Sequence, residues 1–274
     1  MICDFKLSLD IIYKMKQPLA YVHPEAKVAD NVVIEPFVSI DKDVVIGEGS
    51  RIGSNATIFP GTRIGKNCRI FPGAVIGAIP QDLKFKGEYS TVEIGDNTII
   101  REFASIHRGT AARGKTTIGR NCLIMAYVHI AHDCEIGNHV ILTNVCQLAG
   151  EVKIDDWAIL GGMSAVHQFC HIGCHVMLGG GSLVRKDVPP YVKAAREPLS
   201  YIGINSVGLR RRKFSNIQIN QIQDLYRVIY QKGLNTAQAK DYIEAEMPAT
   251  TERDEILMFM NDSKRGIIRG YFPD

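Results

Sequence analysis

Aliphatic residues recur at every sixth position along most of this chain. From Val22 the series runs through Val28, Ile34, Ile40, Ile46, Ile52, Ile58, Ile64, Ile70 and Ile76. It resumes in phase at Ile94, Ile100 and Ile106, and again from Ile118 through Ile130 and Leu148 to Val184. Ile, Leu or Val fills 25 of 28 slots, where the 69 such residues among 274 would fill about seven at random. Four residues after each of these aliphatics stands a small or β-branched residue in 24 of 25 cases, Ser50, Cys68, Ala104 and Cys134 among them. A helix repeats every 3.6 residues and a half-buried strand every two, so neither produces a period of six. The spacing predicts a mainly β fold, a parallel β-helix of hexapeptide repeats. Three short strands and three turns make one 18-residue coil, and each inward aliphatic stacks on its equivalent roughly 4.8 Å away. No coil buries its own face, so stability comes from the stack.

Two stretches, about 78–92 and 108–117, skip the pattern without losing phase. They are expected to be loops thrown out from a rigid coil, where binding residues are often found. The repeat stops after Asp187-Val188-Pro189-Pro190. Beyond Ser200 the pattern turns helical: Ser215 and Gln218 have the spacing of a capping box, and Ile222, Leu225, Tyr226, Ile229 and Tyr230 fall on one helical face. Gly233 is a helix stop, and Thr236 and Thr251 start two more helices. The expected organisation is an N-terminal extension over 1–20, the β-helix over 21–199 and a C-terminal α-helical domain over 200–274. Met15 is a second candidate start, which would make residues 1–14 an extension.

Composition adds exclusions. With 46% hydrophobic and 22% charged residues, the chain is neither disordered nor collagen-like. No apolar run reaches the roughly 18 residues of a membrane span, and Asp4, Lys6, Asp10 and Lys14 break up any signal-peptide core. A net charge of +3 gives no reason to expect nucleic acid. The basic excess lies beyond Arg185, where 15 Lys and Arg face 11 Asp and Glu. Five of the seven cysteines (Cys68, Cys122, Cys134, Cys146 and Cys170) occupy the small-residue slot, as small buried hydrophobes. Their odd number and the lack of a CxxC pair argue against a disulfide framework or cysteine zinc site, and fit a reducing cytoplasm.

Six of the eight histidines lie between His129 and His175. An 18-residue step puts His132, Gly150 and Gln168 in one column, His129 and Gln147 in a second, and His107, Met125 and Thr143 in a third. A base beside a bare peptide N–H and a side-chain amide suits acyl transfer. Asp133 is placed to orient His132, unless these sequence neighbours point to opposite faces. The alternative is that the histidines only decorate the coil.

Specific stretches go further. The chain resembles the UDP-N-acetylglucosamine acyltransferases of lipid A biosynthesis in Gln81-Asp82-Leu83-Lys84, Ile106-His107-Arg108-Gly109-Thr110, His129-Ile130-Ala131-His132-Asp133-Cys134, Gly161 to Cys170, and Gly208-Leu209-Arg210-Arg211-Arg212. The resemblance implies a left-handed coil and transfer of a 3-hydroxyacyl group from acyl carrier protein to the glucosamine 3-hydroxyl of UDP-N-acetylglucosamine, without an acyl-enzyme. It implies no resident cofactor, since phosphopantetheine arrives on the carrier, and a homotrimer. His132 matches the general base, Asp133 its supporting carboxylate and Gly150 the oxyanion donor. His129 matches a residue near the sugar and Asp82 the group that meets the acyl hydroxyl. Gln81 and Lys84 lie in the same loop, while His107, His167 and Gln168 match further active-site positions. Asn205, Arg211 and Arg212 match the nucleotide end, although Arg210–Lys213 also reads as a solvated helix start. Gly180 matches the position that limits acyl length, and with no side chain there a long tail is admitted. Glu151, Val207 and Pro198 depart from His, Glu and His in the best-known members, which bears on the ribose contact and acyl length. The basic surface from Arg185 onward suits an acidic carrier protein.

Three other readings compete. A zinc carbonic anhydrase shares the scaffold and would use His107, His129 and His132 as ligands, but leaves the Gln81–Lys84 stretch and the arginines without a role. The related N-acyltransferase usually carries an N-terminal domain, and only about 20 residues precede this coil. A non-catalytic structural β-helix predicts that His132 is dispensable.

Overall fold

A computed structural model describes residues 19–270. The Met15 start and nearly all of the expected N-terminal extension lie outside them. From Tyr21 to Val184 the chain forms short strands, most of two residues, that fall in rotation into three parallel sheets. The first sheet includes Ser105–His107, His129–Ile130 and Gln147–Leu148; the second, Glu135–Ile136 and Lys153–Ile154; the third, Ile141–Leu142 and Ile159–Leu160. Every six-residue aliphatic from Ile34 to Val184 is buried, while Val22 and Val28, in the first described coil, are only partly so. The second residue of each strand thus fills the prism and the first looks outward.

Strand partners confirm the predicted step and show where it fails. Ser39 pairs with Thr57 and Thr57 with Val75, 18 residues apart. Across the first insertion Val75 pairs with Ser105, and across the second Ser105 pairs with His129, steps of 30 and 24. The insertions therefore stay in phase by adding two repeats and one.

From Phe37 onward the regular corners hold a residue with positive φ, most of them not glycine: Phe103, Tyr127, Asp133, His139, Glu151, Trp157 and His175 all lie between +57° and +65°. A single left-handed residue turns the chain sharply between flat faces, and the stacked neighbours offset its local cost.

The helical domain begins later than expected. Val192–Ala195 and Ser200–Ile204 form an antiparallel pair that extends the third sheet, and Arg269–Gly270 returns beside the second of these strands. Helix α1 spans Ser206–Arg211, α2 Asn216–Gln231, α3 Thr236–Glu246 and α4 Thr251–Asp262. The Ser215–Gln218 capping box is present, and Gly233 follows α2 at φ +69°. Thr236 and Thr251 are the first helical residues of their helices, but Asn235 and Thr250 are the caps. Buried Tyr226 on α2 donates to the carbonyl of Pro190 at 2.5 Å, seating the helices on the last coil.

Candidate active site

The corner between the first and second sheets carries His132, Gly150 and Gln168 one above the other, as the coil period requires. Contact between the first two is direct. A Cβ built on Gly150 would lie 2.5 Å from both Cε1 and Nε2 of His132, so only glycine leaves room for this ring. The Gly150 carbonyl accepts from Phe169 N, while its N–H makes no hydrogen bond among the described residues.

Asp133 resolves the question of opposite faces. Its φ of +59° swings its carboxylate to the side of its neighbour, where Oδ2 meets His132 Nδ1 at 2.8 Å. The carboxylate is fully buried and heavily solvated by protein. Thr110 N donates to both oxygens at 3.0 and 3.1 Å, Thr110 Oγ1 to Oδ2 at 2.6 Å, and Arg113 N to Oδ1 at 3.2 Å. Those donors come from the second insertion. The first insertion approaches from the other side, placing Asp82 Oδ2 3.9 Å from His132 Nε2. Lys84 N caps Asp82 at 2.9 Å, and Gln81 and Lys84 are exposed beside it. Ala111 N donates to Glu88 Oε1 at 2.9 Å, tying the two loops together.

His129 faces outward on the first sheet, with Ser105 Oγ 2.9 Å from its Nδ1 and the His107 ring edge-on at 5.0 Å. Burial holds both rings below the ordinary histidine value; for His107 the nearby His132 adds to this, and for His129 the His107 ring does. Both are neutral hydrogen-bonding groups at neutral pH. His107 Nδ1 is buried without a partner among the described residues. The expected column of His107, Met125 and Thr143 does not form, because the step across the second insertion is 24 residues and Ser105 sits over His129. His167 is exposed at the same corner as Gln168, and its Nδ1 contacts the Gln168 carbonyl at 3.1 Å.

Two groups of expected site residues lie on other edges. Asn205 caps α1 through Gly208 N and donates to the carbonyl of His175 at 2.9 Å. Arg212 lies 5.1 Å from the Trp157 ring centroid and donates to that residue's carbonyl. Both therefore flank the corner between the second and third sheets, with exposed Arg211 nearby. Gly180 stands over Gly162 at the third corner, where a Cβ would meet Gly162 O at 3.3 Å. Thr110, Arg113 and Ser105 were not singled out in the sequence. Thr110 closes the Ile106–Thr110 stretch, Arg113 lies in the insertion that kept phase, and Ser105 is an outward strand residue with no signal of its own.

Comparison with known proteins decides the family. Residues 187–268 match the model for UDP N-acetylglucosamine O-acyltransferase domain 2, and 115–144 match the bacterial transferase hexapeptide. An acyl-[acyl-carrier-protein]–UDP-N-acetylglucosamine O-acyltransferase of Thiobacillus denitrificans is 48% identical over 92% of this chain and 98% of its own. The chain belongs to the UDP-N-acetylglucosamine acyltransferase family. The Bacteroides fragilis UDP-N-acetylglucosamine acyltransferase structure superposes with a TM-score of 0.91 at 55% identity, covering 93% of this chain and all of that one. The Francisella novicida enzyme gives 0.90 at 45% identity over 92% and 93%. The coil is thus the left-handed β-helix expected of this family. Membership sets aside the anhydrase, N-acyltransferase and purely structural readings. Within the family's motifs, Glu151 occupies the corner beside Gly150, and Val207 is largely exposed on α1.

Proposed function

We propose that this enzyme transfers a 3-hydroxyacyl group from acyl carrier protein to the glucosamine 3-hydroxyl of UDP-N-acetylglucosamine, the first step of lipid A assembly, with His132 as general base. The observation that carries this reading is the His132 ring, bonded to Asp133 on one side and resting on bare Gly150 on the other. Asp133 holds the proton on Nδ1, which leaves the Nε2 lone pair to take the proton of the sugar hydroxyl. The sugar oxygen attacks the thioester carbonyl. The open N–H of Gly150 serves the developing oxyanion, and collapse expels the pantetheine thiolate, which takes the proton back from the imidazolium.

Direct transfer fits the cysteines. Cys134 follows Asp133 but points into the prism, where burial pushes its thiol up to about 12, so no thiolate is available as nucleophile. Asp82 is placed to accept the acyl 3-hydroxyl. Neutral His107 and His129, with Gln168 and His167, suit the hydroxyls of an uncharged sugar, while Gln81 and Lys84 close over it. Asn205, Arg211 and Arg212 serve the nucleotide end, where arginine can clamp phosphate.

These arginines lie on a different edge from His132, so one site takes side chains from two copies. The third sheet also presents Ile99, Leu123, Ile141, Ile159 and Met177 outward in a row. A homotrimer covers such a row and joins unlike edges. The acyl tail runs by Gly180, and the basic surface beyond Arg185 receives the carrier protein. No helix among the described residues is long and apolar enough to cross a membrane.

The test is a single turnover with UDP-N-acetylglucosamine and a set of 3-hydroxyacyl carrier proteins, followed by mass spectrometry of product and of intact enzyme. O-acylated sugar nucleotide with enzyme at its unmodified mass is expected. Acylated enzyme accumulating before product would overturn direct transfer.

A further inference from the structure

Hydroxyl side chains in the small-residue slots of the coil share one habit. Ser50, Thr62, Thr98, Ser164 and Ser182 each donate to a backbone carbonyl, those of Gly65, Phe59, Gly119, Gly161 and Gly179, at 2.6 to 2.9 Å. Thr110 stands four residues after Ile106 in sequence but lies on the second insertion, the coil slot there being held by Thr116, and its hydroxyl does not donate to a backbone carbonyl. Its hydroxyl donates at 2.6 Å to Oδ2 of Asp133, the very oxygen that holds His132 Nδ1. Asp133 is fully buried, and among the described residues its only ion-pair partner is His132. A buried carboxylate in that position needs neutral donors to carry its charge, and Thr110 supplies both its N–H and its hydroxyl.

We propose that Thr110 is a positioning residue for the reaction, its hydroxyl fixing how the Asp133 carboxylate is aimed at His132 and how much of its charge that imidazole feels. The inference rests on the reading of His132 as base. Oδ2 divides its hydrogen bonding among the Thr110 hydroxyl at 2.6 Å, the ring N–H at 2.8 Å and the Thr110 N–H at 3.1 Å. With the hydroxyl removed, the ring N–H is its closest remaining donor, ahead of the Thr110 N–H at 3.1 Å, and the carboxylate favours the imidazolium more strongly. The base, which also faces Asp82 at 3.9 Å from Nε2 and neighbours His107, both left unchanged by the substitution, then titrates at higher pH. The carboxylate also loses one of its anchors, so the ring spends less time in the productive orientation.

The experiment compares Thr110→Val, nearly isosteric but without the hydroxyl, with Thr110→Ser, which restores it. Thr110→Val is expected to lower kcat roughly ten- to a hundredfold, with KM for UDP-N-acetylglucosamine within about twofold. The acid limb of its kcat/KM profile moves to higher pH. Thr110→Ser is expected within about threefold of the parent, with the limb unmoved. In an Asp133→Asn background, Thr110→Val should add less than about twofold, because the hydroxyl acts through the carboxylate. A wild-type rate for Thr110→Val overturns the proposal. So does a loss that repeats in full in the Asp133→Asn background with the acid limb in place, which would mark a role in loop folding alone. Should Thr110→Val not fold, Thr110→Ala removes the same hydroxyl and carries the same expectations. An inactive His132→Ala beside a fully active Thr110→Val overturns this inference alone, whereas an active His132→Ala overturns the reading beneath it.

Discussion

Gly150 is the residue on which the His132 ring rests, and its importance is steric before it is chemical. Any side chain there would overlap the ring at 2.5 Å. Gly150→Ala is therefore expected to displace the base and lower kcat by at least about tenfold, with the coil intact. Steady-state kinetics beside a thermal melt check this: a matching fall in folded fraction would point to stability instead. Asp133→Asn keeps the shape but gives up the charge and, if its amide turns toward the ring, can favour the wrong tautomer. A loss of roughly a hundredfold or more in kcat is expected, the lower range for disabling a general base. The sequence placed His132 over Gly150 because a corner-to-corner step depends only on the period. It left the Asp133 contact open, since only the left-handed corner conformation brings neighbouring side chains to one side.

At the scale of elements, the corner between the second and third sheets is a column of flat rings. His139 stacks on Trp157 at 3.9 Å, Trp157 on His175 at 6.3 Å, and His175 on Tyr191 at 5.5 Å. Burial, helped by the Arg212 charge, pushes His175 down to about 4. A folded value below the unfolded one means that the unfolded chain binds the extra proton first, so this contribution is complete above about pH 6.5 and is lost as pH falls toward 4. The Tm should drop over that window, and less steeply in His175→Gln; equal slopes would contradict the assignment. The coil was legible because every inward position must be filled at each layer, and the insertions because they kept phase. What they contribute was not legible. Their lengths break the 18-residue arithmetic, which is why the column of His107, Met125 and Thr143 does not form, and Thr110 has the sequence spacing of a coil slot although it lies on the insertion. Helix α1 is only six residues long, too short to show a period, and Asn235 and Thr250 cap their helices one position before the threonines that signalled them.

At the scale of the whole molecule, the account needs more than one chain. His132 lies on one edge, Arg211 and Arg212 flank another, and an apolar row runs along the middle of the third sheet. Sedimentation is expected to give three times the chain mass of 30.4 kDa. Ile141→Lys, which puts a charge in the middle of that row, should shift it toward monomer with a parallel loss of activity. A fully active monomer would contradict the shared site. The claim beneath all of this is that one imidazole removes the proton from the sugar hydroxyl, and the most direct test is acyl transfer by His132→Ala in single turnover at saturating substrates. The account predicts a fall of at least about a hundredfold with the fold and assembly unchanged. A rate equal to that of the parent enzyme would contradict it.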